Sequence, residues 1–91
     1  PIALRIGDSI AIMASIAAEL TARMLAQSRV IAKGNRIREV QRLVADYGGT
    51  PSHWVKKSSP QFEIKGLLYE YHWYEYAGIG RVEVKRKQVQ R

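Results

Sequence analysis

Apolar positions along the first half of the chain repeat with a helical period. Ile10, Met13, Ile16, Ala17, Leu20 and Met24 recur at three- and four-residue spacing, with Glu19 and Arg23 off that stripe and Asp8-Ser9 ahead of it as an N-cap. The pattern predicts a first helix running to about Ala32 and stopping at Lys33-Gly34-Asn35, where glycine can take a left-handed cap. Asn35 is then expected to cap a second helix with the stripe Ile37, Val40, Leu43, Val44 and Tyr47, ended by Gly48-Gly49.

After Gly49 the helical period disappears. Pro51, Pro60 and Gly66 punctuate short β-branched and aromatic runs, which predict strands at about Trp54–Ser58, Gln61–Ile64, Leu67–Tyr76 and Arg81–Lys87. Ala77-Gly78-Ile79-Gly80 closes the last two into a hairpin. The expected fold is α+β in one domain over 1–91: two N-terminal helices (about 8–47) packed on one face of a C-terminal antiparallel sheet of about four strands (about 53–88). Strand alternation divides the stretch YEYHWYEY, residues 69–76. Tyr69, Tyr71, Trp73 and Glu75 share one face; Glu70, His72, Tyr74 and Tyr76 share the other. Tyr71, Trp73, Val82 and Val84 are expected to face the helices. Glu70, His72, Tyr74, Arg81, Glu83 and Lys85 are expected on the uncovered side, because a core disfavours ionisable groups.

Charge sharpens this picture. The 91 residues carry 15 Lys+Arg against 8 Asp+Glu, a net charge of +7. The excess is concentrated at Arg29, Lys33, Arg36, Arg38 and Arg42 and in the tail Lys85, Arg86, Lys87 and Arg91. Such a field attracts nucleic acid, anionic membrane or an acidic protein. Cysteine is absent, which excludes disulfide frameworks and thiolate metal sites. The apolar N-terminal stretch is too polar and too short to span a bilayer. The chain starts at Pro1 without a visible targeting signal, as expected of a piece of a longer protein.

The candidate chemistry lies on the second face. His53 and His72 stand far apart with no carboxylate cluster beside them, so neither a metal nor a cofactor is expected. Metal-independent cleavage of RNA by its own 2′-hydroxyl needs a group to take a proton, one to give a proton, and cations for the phosphorane. His72 suits either proton role, with Glu70 orienting it or acting as base. Lys56 and Arg81 can hold the phosphate, and Tyr74 or Ser58 can donate to it. Lys57, Ser59, Lys85, Lys87, Arg36 and Arg38 are candidate RNA contacts. Plainer roles exist for the same residues. Glu70, Glu83 and Lys85 can be cross-strand ion pairs, Lys56 and Lys57 can guard an edge strand, and Tyr69, Tyr71 and Trp73 suit a core.

Residues 48–87, GGTPSHWVKKSSPQFEIKGLLYEYHWYEYAGIGRVEVKRK, resemble the C-terminal toxin domain of bacterial polymorphic and contact-dependent growth inhibition toxins. The pieces WVKKSS and HWYE, followed by a turn and RVEVKRK, carry the resemblance. It implies an RNase of the barnase/EndoU/colicin/RelE-like group, the tip of a larger secreted or cell-surface protein that acts in the target-cell cytoplasm. It further implies RNA as substrate, often transfer RNA, with a cognate immunity protein as partner and room for a host accessory factor. Lys56, Ser58, Ser59, Glu70 and His72 lie in the matching pieces; residues 1–47 carry no matching motif. An acidic immunity protein suits a domain of this charge. The alternative is a non-catalytic basic module that binds nucleic acid, and a third reading is an interaction domain whose charge serves a protein partner.

Overall fold

In a computed structural model, the structure describes residues 20–90. The first part of the expected first helix, 8–19, with its stripe residues Ile10, Met13, Ile16 and Ala17, lies outside them. The elements are α1 (Ala22–Ala26), β1 (Arg29–Lys33), a 3₁₀ turn at Gly34–Arg36, α2 (Val40–Tyr47), a second 3₁₀ turn at Pro51–His53, and then β2 (Val55–Ser58), β3 (Phe62–Ile64), β4 (Leu67–Tyr76) and β5 (Gly80–Gln88). The class is α+β, with a five-stranded antiparallel sheet.

β4 organises the sheet. β5 lines one of its edges, while β2 and β3 share the other end to end, opposite Val55–Ser58 and Phe62–Ile64 respectively. β1 pairs with β2. The β3–β4 connection is two residues, Lys65 and Gly66, both at positive φ (51° and 82°). Such turns match the twist of the strands they join.

Three expectations are corrected. Residues 29–33 form a strand, not the end of the first helix. Thr21 caps the short α1 by accepting from the Met24 amide at 3.1 Å, and the helix ends at Gln27, where the β-branched pair Val30-Ile31 takes over. Asn35 does not cap the second helix; it sits in a 3₁₀ turn, and α2 starts at Val40 after Glu39. Nor do the two helices pack together on one face. Met24 and Leu25 of α1 pack beside Leu20, Tyr71, Trp73, Phe62 and Val84, whereas Val40, Leu43 and Val44 of α2 pack beside Ile37, Trp54, Tyr74 and Val82. The sheet therefore has a small core on each side.

The side of β4 bearing Glu70, His72, Tyr74 and Tyr76 is accordingly half covered. α2 closes over Tyr74, which is buried, and over Tyr76, which is partly buried. The other half, at His72 and Glu70, stays open. Trp54 fixes the boundary. It is fully buried, donates from Nε1 to the Gly48 carbonyl at the end of α2 (3.0 Å), and lies 5.1 Å from the Tyr76 ring.

The hairpin β4–β5 contains a bulge. His72 pairs with Lys85 and Tyr74 with Val82, so Glu83 and Val84 together oppose Trp73. Glu83 takes φ +56°, unusual for a residue with a Cβ. The extra residue breaks the expected alternation: Val82 packs with Trp54 and Tyr74, while Val84 packs with Tyr71 and Trp73.

Candidate functional site

Four strands each place one residue in a line across the open half-face. Arg29 of β1 stands opposite Ser58 of β2, Ser58 opposite His72 of β4, and His72 opposite Lys85 of β5. Toward α2 the next row is Ala32, Lys56, Tyr74 and Val82; away from it, Glu70 faces Lys87. Opposed residues in a sheet project to one side, so the registers bring these groups together without any long loop.

The centre of the row is a Glu70–His72 pair. The His72 Nε2 lies 2.9 Å from Glu70 Oε1, and Ser58 Oγ donates to the same oxygen at 3.0 Å. Arg29 Nη2 approaches Glu70 Oε2 at 3.7 Å. The hydrogen bond to His72 holds the Glu70 carboxyl below the usual carboxylate range, against the opposing effect of burial, and Ser58 and Arg29 add to it. A carboxylate on Nε2 favours the proton there, leaving Nδ1 as the acceptor of the neutral ring. That Nδ1 is shielded from solvent and has no hydrogen-bond partner.

Beside the row lies a cleft of about 440 Å³ between the sheet and the segment from Arg36 to Glu39. His72, Lys56, Lys85 and Lys87 line its sheet side, with Arg36 and Arg38 across from them. Two carboxylates, Glu39 and Glu83, also line it. Both are tied to Arg42 of α2, which meets Glu83 with a two-pronged contact (2.8 and 2.8 Å) and Glu39 at 2.9 Å. These bonds to Arg42 hold both acids below the usual carboxylate range. They also raise the Arg42 guanidinium, so the cleft's acids are paired to a permanent cation and its lysines are left to other anions.

The structure separates the residues singled out in the sequence. His72 and Lys56 reach the cleft, with Lys56 Nζ 5.8 Å from the centre of the Tyr74 ring. Glu70 stands behind His72. Ser58 is fully buried and divides its contacts between Glu70 and the Ser59 carbonyl (2.9 Å), so it positions the carboxylate and does not face a substrate. Ser59 is buried as well and accepts from the Tyr71 amide at 2.9 Å. Tyr74 is turned into the α2 core, not outward, and its hydroxyl donates to Glu39 at 3.0 Å; burial foremost pushes that phenol up. Arg81 and Lys57 are corrected in place. They oppose Glu75 and Trp73 and so project from the other face, where Lys57 pairs with Glu75 at 3.3 Å. The bulge is what puts Arg81 and Lys85, four positions apart, on opposite faces.

Sequence reasoning missed Arg29, which reaches Glu70 in the row, and Arg42, which holds the cleft's two acids from outside it. Arg29 was hidden by its assignment to a helix, and Arg42 contacts Glu83 across 41 positions, for which no local pattern exists. Among the described residues, no cluster of three or more His, Cys, Asp or Glu could hold a metal ion, and no helix is long and apolar enough to cross a membrane. Comparison with protein-family models, curated proteins and solved structures gives no match for this chain.

Proposed function

We propose that the domain is a metal-independent endoribonuclease that cleaves by attack of the 2′-hydroxyl on the adjacent phosphate. The observation that carries this reading is the placement of His72, backed by Glu70 at 2.9 Å, at the wall of a cleft lined by Lys56, Lys85 and Lys87. The lysines supply the charge that binds a phosphodiester and stabilises its phosphorane. His72 supplies a proton carrier suited to neutral pH, and Glu70 fixes its tautomer. Because Nε2 is engaged and Nδ1 is shielded at rest, cleavage requires the ring to turn from Glu70 as substrate enters, take the 2′-hydroxyl proton on one nitrogen and deliver it to the leaving 5′-oxygen. The wider setting, a toxin tip acting on transfer RNA and held in check by an acidic inhibitor, is part of the proposal on the strength of the resemblance in residues 48–87.

The same enclosure of both ring nitrogens favours a second reading, a basic module that binds nucleic acid without cutting it. One experiment separates them: incubation of the purified domain with total bacterial RNA in EDTA, followed by analysis of fragment ends. Discrete fragments with 2′,3′-cyclic phosphate ends are expected. Bound but intact RNA overturns the nuclease reading in favour of the binder.

A further inference from the structure

Lys85 and Lys87 reach the cleft only because β5 carries one residue too many. In a regular strand Val82, Val84 and Arg86 share a side and Glu83, Lys85 and Lys87 take the other. With the bulge at Glu83, Val82 stands opposite Tyr74 in the α2 core, while Lys85 and Lys87 stand opposite His72 and Glu70 on that same side. Removal of the bulge by a one-residue slip turns every side chain beyond it to the opposite face. Either Val82 then leaves its core or the lysines leave the cleft.

The bulge is not favoured by its own residue. Glu83 holds φ +56°, where glycine is at ease and glutamate is not. What holds it comes from α2: the paired 2.8 Å contacts from the Arg42 guanidinium to both Glu83 oxygens, and the Tyr47 hydroxyl donating to Oε2 at 2.9 Å. Arg42 lines neither the His72 row nor the cleft.

We propose that Arg42 is a positioning residue: through its two-pronged grip on Glu83 it fixes the β5 bulge, and so sets which face Lys85 and Lys87 present. The consequence for phosphate binding rests on the RNA reading of the cleft; the consequence for strand register does not.

The test is NMR of the purified 91-residue domain, with binding of a short fluorescent oligouridylate measured in parallel across a salt series. In Arg42→Gln, the cross-strand NOE between His72 and Lys85 is expected to weaken or give way to one between His72 and Val84, as in an unbulged pairing that keeps Val82 opposite Tyr74 in its core. Oligonucleotide affinity is expected to fall about tenfold, and the log–log salt slope by about 1.4, the share of two phosphate contacts. Arg42→Lys keeps the charge without the planar grip and is expected to do the same, which separates geometry from electrostatics. Adding Glu83→Gly to Arg42→Gln restores the His72–Lys85 NOE, because glycine adopts the bulge conformation unaided. Adding Glu83→Gln, which removes the same charge, does not. Retention of both this NOE and the one between Tyr74 and Val82 in Arg42→Gln overturns the proposal. Loss of the His72–Lys85 NOE with unchanged oligonucleotide affinity upholds the register role and overturns the RNA role of the lysines; loss of the Tyr74–Val82 NOE alone, with affinity kept, upholds the register role and overturns the claim that Arg42 sets the face of Lys85 and Lys87.

Discussion

Val82 and Val84, two positions apart on one strand, belong to different cores. Val82 packs with Trp54 and Tyr74 beneath α2; Val84 packs with Tyr71 and Trp73 on the far side of the sheet. Each valine→alanine change is expected to cost about 1–2 kcal/mol, from the methyl groups removed from apolar contact. Because the two share no partner, the double variant is expected to add to within about 0.5 kcal/mol in urea unfolding, whereas Val82→Ala combined with Leu43→Ala departs from additivity. Strong coupling between the two valines contradicts the bulge.

Two basic residues of β5, four positions apart, are expected to behave oppositely. Lys85 opposes His72, while Arg81 opposes Glu75 on the other face. Lys85→Ala is expected to weaken RNA binding several-fold and reduce its salt dependence, and Arg81→Ala to leave both near wild type, as judged by titrations at matched ionic strength.

If the Glu70–His72 pair moves the proton, His72→Ala lowers the RNA cleavage rate by about 10²-fold or more while the fold persists. Glu70→Gln removes the carboxylate bonded to the ring and is expected to lower the rate as well, by less than His72→Ala. Ser58→Ala, which removes one of the hydrogen bonds that hold Glu70, is expected to lower it by less still. Full activity in His72→Ala sinks the assignment.

Acid is expected to loosen the α2–β5 contact. The Glu83 carboxyl is held low in the folded state by Arg42, so the unfolded chain binds its proton more readily. Stability from this source is therefore fully present above the ordinary glutamate pKa of about 4.3 and is lost as pH falls through the lower folded value. In urea titrations from pH 7 downward, the stability gap between wild type and Glu83→Gln is expected to narrow below that pKa. A gap unchanged at pH 3 excludes the linkage.

Gly49 is closed to any side chain. A Cβ there meets the Tyr76 ring at 2.5 Å, and its φ of +86° is strained for other residues. The ring is held from its other sides by Trp54 and by the hydrogen bond it accepts at its hydroxyl from the Thr50 amide (2.9 Å). Gly49→Ala is expected to cost about 1–3 kcal/mol by thermal or urea unfolding, with the backbone strain alone accounting for that range.

What the sequence made legible follows from how local each signal is. The strands at 55–58, 62–64, 67–76 and 80–88 stand close to where alternation and turn residues put them, and the faces of 69–76 divide as expected. β1 was illegible because Arg29–Lys33 follows an alanine-rich helical pattern without a glycine or proline between them, and only β2's edge makes it a strand. RVEVK, residues 81–85, alternates strictly, so nothing in it announces a bulge; the cause lies in Arg42 on another element. His72, Lys56 and Glu70 were found through residue type. Their neighbours Arg29 and Glu39 were not, since register and tertiary contact bring them there.

β4 pairs with β3 across two residues and with β5 across three, while its pairing with β2 spans a longer detour and β1 joins only through β2. Short loops close first, so assembly is expected to spread outward from this strand. The Arg29–Ser58–His72–Lys85 line needs both the outermost strand and the last one made. During synthesis, then, β1 to β4 can be in place with Lys56, Arg36 and Arg38 while the cleft still lacks Lys85 and Lys87. The cleft is completed only when β5 docks along β4.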